Sequence, residues 1–495
     1  MNYKVKIGLE IHLQLATKTK MFCSCKNPSI NDLANTCVCP ICLAHPGTLP
    51  SLNQEALKMA LKFGLSLNGE INKKFYFERK NYFYPDLPKG YQISQKRIPL
   101  IKNAFLLIGS KKIKIREIHL EEDTAKLYHF NDKSLIDFNR AGVPLLEIVT
   151  EPEIESAKEA KEFCQEIQKL ARYLEISNAD MEKGELRCEV NISLNEITDK
   201  NMVIGTRVEI KNLNSFRAVE RAIEYEIKRQ EKILKEGKKI IQETRGWDEK
   251  KQKTIEQRIK EEAEDYRYFP EPDLPIFEIN DLEIEEIKKS LPELPFEKRK
   301  KFIEKYKFSP LYAKILTEKK ENSEFVEKVM EILEKKLNEV LEEEEKEKGK
   351  KILAKKVGDW MSKVFGLQTK FGGNFLERIT PENFASFLSL FLIERKIQSS
   401  KIAYNILEKI YQTKKSVEEI ISQEEIEEIT DEEKLKEIIS LVLENYPEVV
   451  SDYKKGKKTA INYLIGQVMK STKGKASPKI VEKLLKRFLN YNSTL

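Results

Sequence analysis

Four short stretches of this chain alternate apolar and polar residues with period two, and their polar members are mostly acids and imidazoles. In Leu9-Glu10-Ile11-His12-Leu13-Gln14-Leu15 the apolar residues take one side, and Glu10, His12 and Gln14 take the other. Glu117-Ile118-His119-Leu120-Glu121, Cys188-Glu189-Val190-Asn191-Ile192-Ser193-Leu194 and Arg207-Val208-Glu209-Ile210-Lys211 repeat the pattern. Successive side chains of a strand point to opposite faces, so each stretch predicts a strand with one apolar and one polar face. An antiparallel sheet with one solvated face is the ordinary outcome of such alternation. Solvated faces favour threonine and lysine, however, and these offer glutamate, histidine and asparagine. Glu147 also lies inside the nearly continuous apolar run Pro144-Leu-Leu-Glu-Ile-Val149, where an ionised carboxylate needs a cation as partner. If the strands share a sheet, one face gathers Glu10, His12, Glu121, Glu147, Glu189 and Glu209. Oxygen ligands with an occasional imidazole suit a hard divalent ion such as Mg²⁺, and Mg²⁺ with an open side points to phosphate chemistry. Arg79, Lys80, Lys89, Lys126, Arg140, Arg187, Arg207 and Lys211 are the cations expected to hold phosphate oxygens.

The alternating stretches, the histidines and the cysteines all fall before residue 290, among Gly, Pro and Asn turns. Helices are sparse there. One is expected over Ala157 to Tyr173, where Ala160, Phe163, Cys164, Ile167 and Leu170 recur at helical spacing. Leu291-Pro-Glu-Leu-Pro-Phe296 reads as a boundary, and from Lys298 onward the chain reads as helix after helix. Glu342 to Lys351 is nearly pure charge, a solvated helix end or a linker. Thr430-Asp431-Glu432-Glu433 reads as a helix start and a second break. The expectation is an α+β chain with a sheet domain over 1–290, a helical domain over 291–425 and a small helical tail over 426–495. The net charge is only +7 over 495 residues, but Tyr453 to Arg487 holds eleven Lys or Arg against the single acid Glu482. That patch fits a polyanion such as RNA, and equally a solubilising lysine face. No apolar run approaches the length of a membrane span, and the N-terminus goes straight into a strand pattern without a visible signal peptide.

Arg79-Lys-Asn-Tyr-Phe-Tyr-Pro-Asp-Leu-Pro-Lys-Gly-Tyr-Gln-Ile-Ser-Gln95 is a poor helix and a poor plain strand, because Pro85, Pro88 and Gly90 interrupt it. Its rings and cations suit a stiff loop held against a ligand, with Tyr82 and Tyr84 as stacking surfaces. The plain alternative is a surface loop whose rings pack down. The chain carries no Walker A sequence, no GxGxxG, no kinase signature and no recognisable cysteine or serine nucleophile set.

Cys23-Ser-Cys25 and Cys39-Pro-Ile-Cys42 present paired thiols that match one tetrahedral, structural Zn²⁺. Cys37 is a fifth thiol that could replace Cys39 or Cys25, and reduced metal-free cysteines are the alternative. Cys164 and Cys188 read as packing residues. Seven cysteines in a long chain of this kind predict a cytoplasmic protein rather than a disulfide framework.

Eight motifs in order resemble the B-type chains of the aspartyl/glutamyl-tRNA amidotransferases. They are Ile7-Gly-Leu-Glu-Ile-His12, the Arg79–Gln95 run, His119-Leu-Glu-Glu-Asp123, Asp137-Phe-Asn-Arg-Ala-Gly-Val-Pro144, Glu147-Ile-Val-Thr-Glu-Pro152, Lys211-Asn-Leu-Asn-Ser-Phe216, Gln242-Glu-Thr-Arg245 and Asp265-Tyr-Arg-Tyr-Phe-Pro-Glu-Pro-Asp273. The resemblance extends to the tail, in Ile465-Gly-Gln-Val-Met-Lys470 and Gly474-Lys-Ala-Ser-Pro478. It implies a cradle related to glutamine synthetase-type folds, followed by helices and a YqeY-like tail that touches tRNA. It implies a heterotrimer with an amidase and a small third protein, with ammonia channelled from glutamine. The B-type chain uses ATP and Mg²⁺ to phosphorylate the side-chain carboxylate of Glu on tRNA(Gln) or Asp on tRNA(Asn), and ammonia then displaces phosphate. The non-discriminating aminoacyl-tRNA synthetase is a further candidate partner. By motif, His12, Glu121 and Glu147 match the Mg²⁺ ligands with Glu10 beside them, and Cys23, Cys25, Cys39 and Cys42 match the zinc cysteines. Glu10, Arg79, Lys80, Lys89, Glu189, Glu209 and Lys211 are the expected catalytic set. Arg140, Arg187 and Arg207 are expected to bind ATP. Lys454, Lys455, Lys457, Lys458, Lys470, Lys473 and Lys475 are expected to bind tRNA. Four positions depart from the family pattern: Thr124-Ala125 stands for Ala-Gly, where the lost glycine disfavours a positive-φ turn, and Glu189 and Glu78 stand for aspartates. A non-catalytic tRNA-binding scaffold is the other reading that the sequence leaves.

Overall fold

The computed structural model describes residues 2–197, 202–259, 265–397, 399–423, 432–457, 459–472, 476 and 478–491. The chain divides into two compact units, 1–295 and 296–495.

In the first unit the elements used below are β1 (Asn2–Gln14), α1 (Gln54–Ser66), β2 (Glu78–Asn81), β3 (Tyr91–Ser94), β4 (Ile101–Ile108), β5 (Lys111–Glu122), β6 (Pro144–Thr150), α2 (Ala157–Tyr173), β7 (Leu186–Ile197), β8 (Val208–Leu213), α3 (Phe216–Lys235), β9 (Glu243–Asp248), β10 (Lys253–Ile259) and β11 (Phe269–Pro270). Among the described residues a ten-stranded sheet runs in the order β10-β9-β8-β7-β1-β6-β5-β4, with Glu70–Ile71 beyond β4 and Met202–Val203 paired to β7. Its pairs are antiparallel except β8 with β9. The helix α3 joins that parallel pair, as a parallel connection requires a crossover. The α+β character expected from the sequence is therefore present, with an N-terminal sheet followed by helices.

The alternation read in the sequence becomes burial. Ile11, Leu13, Ile118, Leu120, Leu146, Ile148, Val190 and Ile192 all lie in the core. The helix α2 starts where Ser156 caps it, its side chain accepting from Glu159 N–H, and it buries Ala160, Phe163, Cys164, Ile167 and Leu170. Cys164 Sγ lies 3.5 Å from Cys188 Sγ, which places α2 on the apolar face of the sheet and makes both cysteines packing residues. The helix α3 packs on α2 and on β7 and β8.

The Arg79–Gln95 run is a hairpin, not a loop throughout. Strands β2 and β3 pair from Glu78 opposite Ser94 to Asn81 opposite Tyr91. Both prolines fall in the connection between them, so neither removes a ladder bond. Gly90 enters β3 at φ +72°, with the Phe83 ring 3.2 Å from where a Cβ would stand. On its other edge β2 pairs with β11. Glu78, buried, accepts the N–H groups of Lys96 and Arg97 at 2.8 and 2.7 Å. It therefore closes the turn that follows the hairpin.

The second unit is helical. Phe302, Phe325, Val357, Trp360, Phe384 and Ile406 belong to one of its cores, and Leu435, Ile439, Leu464, Val481 and Leu485 belong to a separate one. The charge run around Glu342–Lys351 opens the 29-residue helix Glu343–Phe371, whose buried residues begin at Leu353. No helix of the described residues is long and apolar enough to cross a membrane.

Candidate functional site

Strand register decides what the polar face holds. His119 stands opposite Glu147, Glu147 opposite His12, and His12 opposite Arg187, giving one row across β5, β6, β1 and β7. Glu121 and Glu10 flank that row, with Glu10 opposite Glu189. Glu209 continues the face on β8, opposite Asn191. All six acids and imidazoles expected on one face are thus brought together by the sheet.

His12 Nε2 lies 3.2 Å from Glu121 Oε1 and 3.4 Å from Glu147 Oε2, and His119 Nε2 lies 3.3 Å from Glu147 Oε2. Three sets of side chains, Glu10/His12/Glu147, His119/Glu121/Glu147 and Glu10/Glu189/Glu209, each place three ligand atoms within 4.8 Å of one another. Crowding shapes their charge. Burial, then the carboxylates of Glu147 and Glu189, push the Glu10 carboxyl up to about 7. Burial pushes Glu147 upward too, but His119 and His12 outweigh it and hold the carboxyl well below its usual range. Burial disfavours the imidazolium of His12, but hydrogen bonding to Glu121 and Glu147 raises it well above the ordinary histidine value. A face that draws protons onto its imidazoles in this way is chemically suited to a hard cation, and the donor set fits Mg²⁺.

The expected cations divide into several groups. Lys80 faces the acids. Burial disfavours its charge, yet Glu121, Tyr268 and Glu147 raise its pKa, and its Nζ sits 5.1 Å from the centre of the Tyr266 ring. Lys211 Nζ lies 3.0 Å from Glu189 and 3.6 Å from Glu209. Arg140 donates Nε and Nη2 to Asp123 Oδ2 at 3.0 and 2.6 Å, and Arg187 donates Nη2 to Asp123 Oδ1 at 2.9 Å. Burial raises the Asp123 carboxyl, but these two guanidiniums hold it down at about 2. Arg79 is not brought to the acid face. It grips buried Glu271 through Nε at 2.8 Å and Nη2 at 2.7 Å, reaches Asp273 at 3.2 Å and lies over the Tyr91 ring. Lys89 pairs with buried Glu122, whose Oε1 also accepts Ile93 N–H at 3.0 Å. Arg207 is exposed just before β8, and Lys126 stands over Tyr128 in an exposed hairpin.

The β2–β3 hairpin is anchored to the end of the acid-bearing strand β5. Ser94 Oγ donates to Glu121 Oε2 at 3.2 Å, Gln92 Nε2 donates to Glu122 O at 2.6 Å, and Gln95 Oε1 accepts Leu120 N–H at 3.1 Å. Tyr82 meets Tyr266 edge-on, and Tyr266 meets Tyr268 likewise, while Phe83 and Tyr84 are exposed. His119, Asp123, Tyr266 and Tyr268 are not among the site residues expected from sequence. His119 shares the period-two pattern of Glu121, so the pattern alone carried the signal for it.

At the departures from the family pattern, neither Thr124 nor Ala125 takes a positive φ, so the chain needs no glycine there. Glu189 reaches Lys211 with its longer side chain.

The thiols of Cys23, Cys25, Cys39 and Cys42 come within 4.8 Å of one another, and Cys37 stands outside the group. Tetrahedral zinc–thiolate bonds hold their sulfurs roughly 3.8 Å apart, so the cluster fits one such ion. Cys42 is bound by a hydrogen bond with Cys23, by Cys39 N–H and by the charge of Lys20, which hold its thiol at about 4 against burial. Of the tail lysines, Lys454, Lys455, Lys457 and Lys470 are placed at or just beyond helix ends. Lys458, Lys473 and Lys475 lie outside the described residues.

A largely antiparallel sheet with a face of acids and imidazoles, followed by helices, places the chain in the α+β class. Residues 5–285 match the model of the GatB/GatE catalytic domain, and residues 339–489 match that of the GatB domain. The B subunit of the aspartyl/glutamyl-tRNA(Asn/Gln) amidotransferase of Thermotoga sp. (strain RQ2) is 43% identical over 501 residues, covering 99% of both chains. The proteins of that name from Persephonella marina and Clostridium novyi are 43% and 42% identical over 99% of this chain and all of theirs. The chain belongs to this GatB family of amidotransferase B subunits.

Proposed function

We propose that this chain performs the ATP-dependent amide-forming step on Glu-tRNA(Gln), Asp-tRNA(Asn) or both, as the B-type chain of a cytoplasmic, glutamine-dependent amidotransferase. The row His119–Glu147–His12, buried at its first two members and half-buried at His12, and flanked by Glu121 and Glu10, carries this reading, together with full-length membership of the family. The γ-phosphoryl group of ATP passes to an oxygen of the side-chain carboxylate, releasing ADP. Ammonia then adds to the acyl carbon, phosphate leaves, and the amide remains. Phosphoryl transfer depends on positioning and charge neutralisation more than on covalent help from the protein. His12, Glu121 and Glu147 would hold Mg²⁺, with His119 and Glu10 beside them; the ion would neutralise phosphate oxygens. Lys80 and Arg187 supply fixed positive charge on the same face. Lys211 keeps Glu189 and Glu209 from repelling the substrate. Asp123 orients Arg140 and Arg187 toward nucleotide phosphates. The Tyr82–Tyr266–Tyr268 group lines the approach.

The ammonia comes from elsewhere, since the sequence offers no glutaminase nucleophile. The source is the amidase of a heterotrimer that a small third protein completes, with the non-discriminating synthetase as a further neighbour. We assign the catalytic cradle to 1–290, a helical domain to 291–425 and a tRNA-binding tail to 426–495, and a structural Zn²⁺ to Cys23, Cys25, Cys39 and Cys42. A pure scaffold has no use for two carboxylates, Glu121 and Glu147, buried side by side, since each costs free energy to desolvate.

The test is reconstitution with both partner proteins, ATP, Mg²⁺, glutamine and each mischarged tRNA. Amide on the aminoacyl group, and ATP hydrolysis stimulated by charged tRNA, are expected. Absence of both in an assembled complex would refute the assignment.

A further inference from the structure

Lys20 is among the largest wholly buried side chains, at 0% exposure. A buried ammonium without a counter-charge costs several kcal/mol. Among the described residues no carboxylate lies within ion-pair distance of it, and the hydrogen-bond partner of its Nζ is Cys42 Sγ, at 3.5 Å. The backbone of Lys20 is fixed as well. Lys20 N–H donates to Cys25 O at 2.9 Å, and Asn53 Nδ2 donates to Lys20 O at 3.1 Å. Gly142, at φ +86°, packs beside it: a Cβ there would make ordinary contacts with Lys20 Cδ at 3.5 Å, Cys42 Cβ at 3.6 Å and Glu122 Oε2 at 3.8 Å. The backbone of Lys20 is thus tied to the cysteine cluster, and the amine reaches its sulfur.

We propose that Lys20 is the counter-charge and hydrogen-bond donor of the four-cysteine metal centre, a positioning residue for zinc acting through Cys42. This rests on the assignment of zinc to Cys23, Cys25, Cys39 and Cys42. Four thiolates around a dication carry two surplus negative charges, and a buried cation removes one of them. A donor on a coordinating sulfur also fixes its direction and reduces its tendency to leave the metal. The pairing gives this wholly buried lysine a partner where the nearby Glu122 carboxylate is taken by Lys89.

The two ideas fail differently. Zinc content of the purified full-length chain tests the metal site: about one equivalent is expected, and none would remove both. With zinc bound, its release to a chromogenic chelator tests Lys20. Lys20→Met keeps volume and removes charge and donor, so release should quicken roughly tenfold or more, the usual effect of losing an outer partner of a metal ligand. Lys20→Arg should stay within a few fold of the native rate. A packing role predicts the opposite for methionine, because an apolar side chain suits a buried site, and native-like release with unchanged or higher thermal stability would overturn the proposal. Should the methionine variant not fold, Lys20→Gln against Lys20→Arg decides. Faster release with glutamine upholds the role, and equal release overturns it.

Discussion

Single side chains at this site are legible through charge. Glu147 sits between two imidazoles in the centre of the acid row. Glu147→Ala is expected to lower amide formation on the order of a hundredfold or more and to weaken Mn²⁺ binding, measured by paramagnetic resonance, while tRNA binding persists. Loss of folding would make the acid structural instead. Asp123 gives a pH prediction. Against burial, Arg187 and Arg140 hold its folded carboxyl at about 2, compared with an ordinary value near 4. A lowered folded pKa stabilises the folded state above the unfolded pKa. That contribution, about 2 kcal/mol, is therefore complete above about pH 4 and disappears as pH falls toward 2. Acid unfolding of Asp123→Asn should lack this component below pH 4, with lower stability at neutral pH. The identities of Glu10, His12, Glu121, Glu147, Glu189 and Glu209 could be read from alternation and from one carboxylate in an apolar run. The place of Arg79 could not, because Glu271, its partner, lies far along the chain.

Elements were legible where pattern is local. The helix Ala157–Tyr173 and the strands around the acids follow from periodicity, since each buries one face. The Arg79–Gln95 hairpin was obscured by its own tip: the prolines that argue against a strand occupy only the connection. Gly90→Ala meets both a positive φ and the Phe83 ring, and should cost roughly 1–2 kcal/mol, visible as a lower melting temperature. Arg79→Ala leaves the buried Glu271 carboxylate unpaired across the β2–β11 seam. A loss of roughly 3 kcal/mol of stability is expected from denaturant titration. Activity falling far more than this loss explains would return Arg79 to a direct role in the chemistry.

Across the molecule, the sequence changes period from two to that of the helix around residues 291–296, and the structure divides into two compact units, 1–295 and 296–495. Ending the chain near residue 425 removes Lys454, Lys455, Lys457 and Lys470. Within the reconstituted complex this should weaken tRNA binding and lessen the slope of log affinity against log salt by roughly 2–4, nearly one for each lost phosphate contact. An unchanged slope would make the patch a solubilising face. Composition and periodicity alone settled the strands that carry the acids, the helix Ala157–Tyr173 and which side of each of those strands is polar, because these are properties of neighbours a few residues apart. Which acids stand opposite one another, which cations reach them and which are tied elsewhere, and that Lys20 lies buried against a thiol were decided only by the tertiary structure. Pairing register and burial depend on residues that can lie a hundred or more positions apart, and no local pattern encodes that distance.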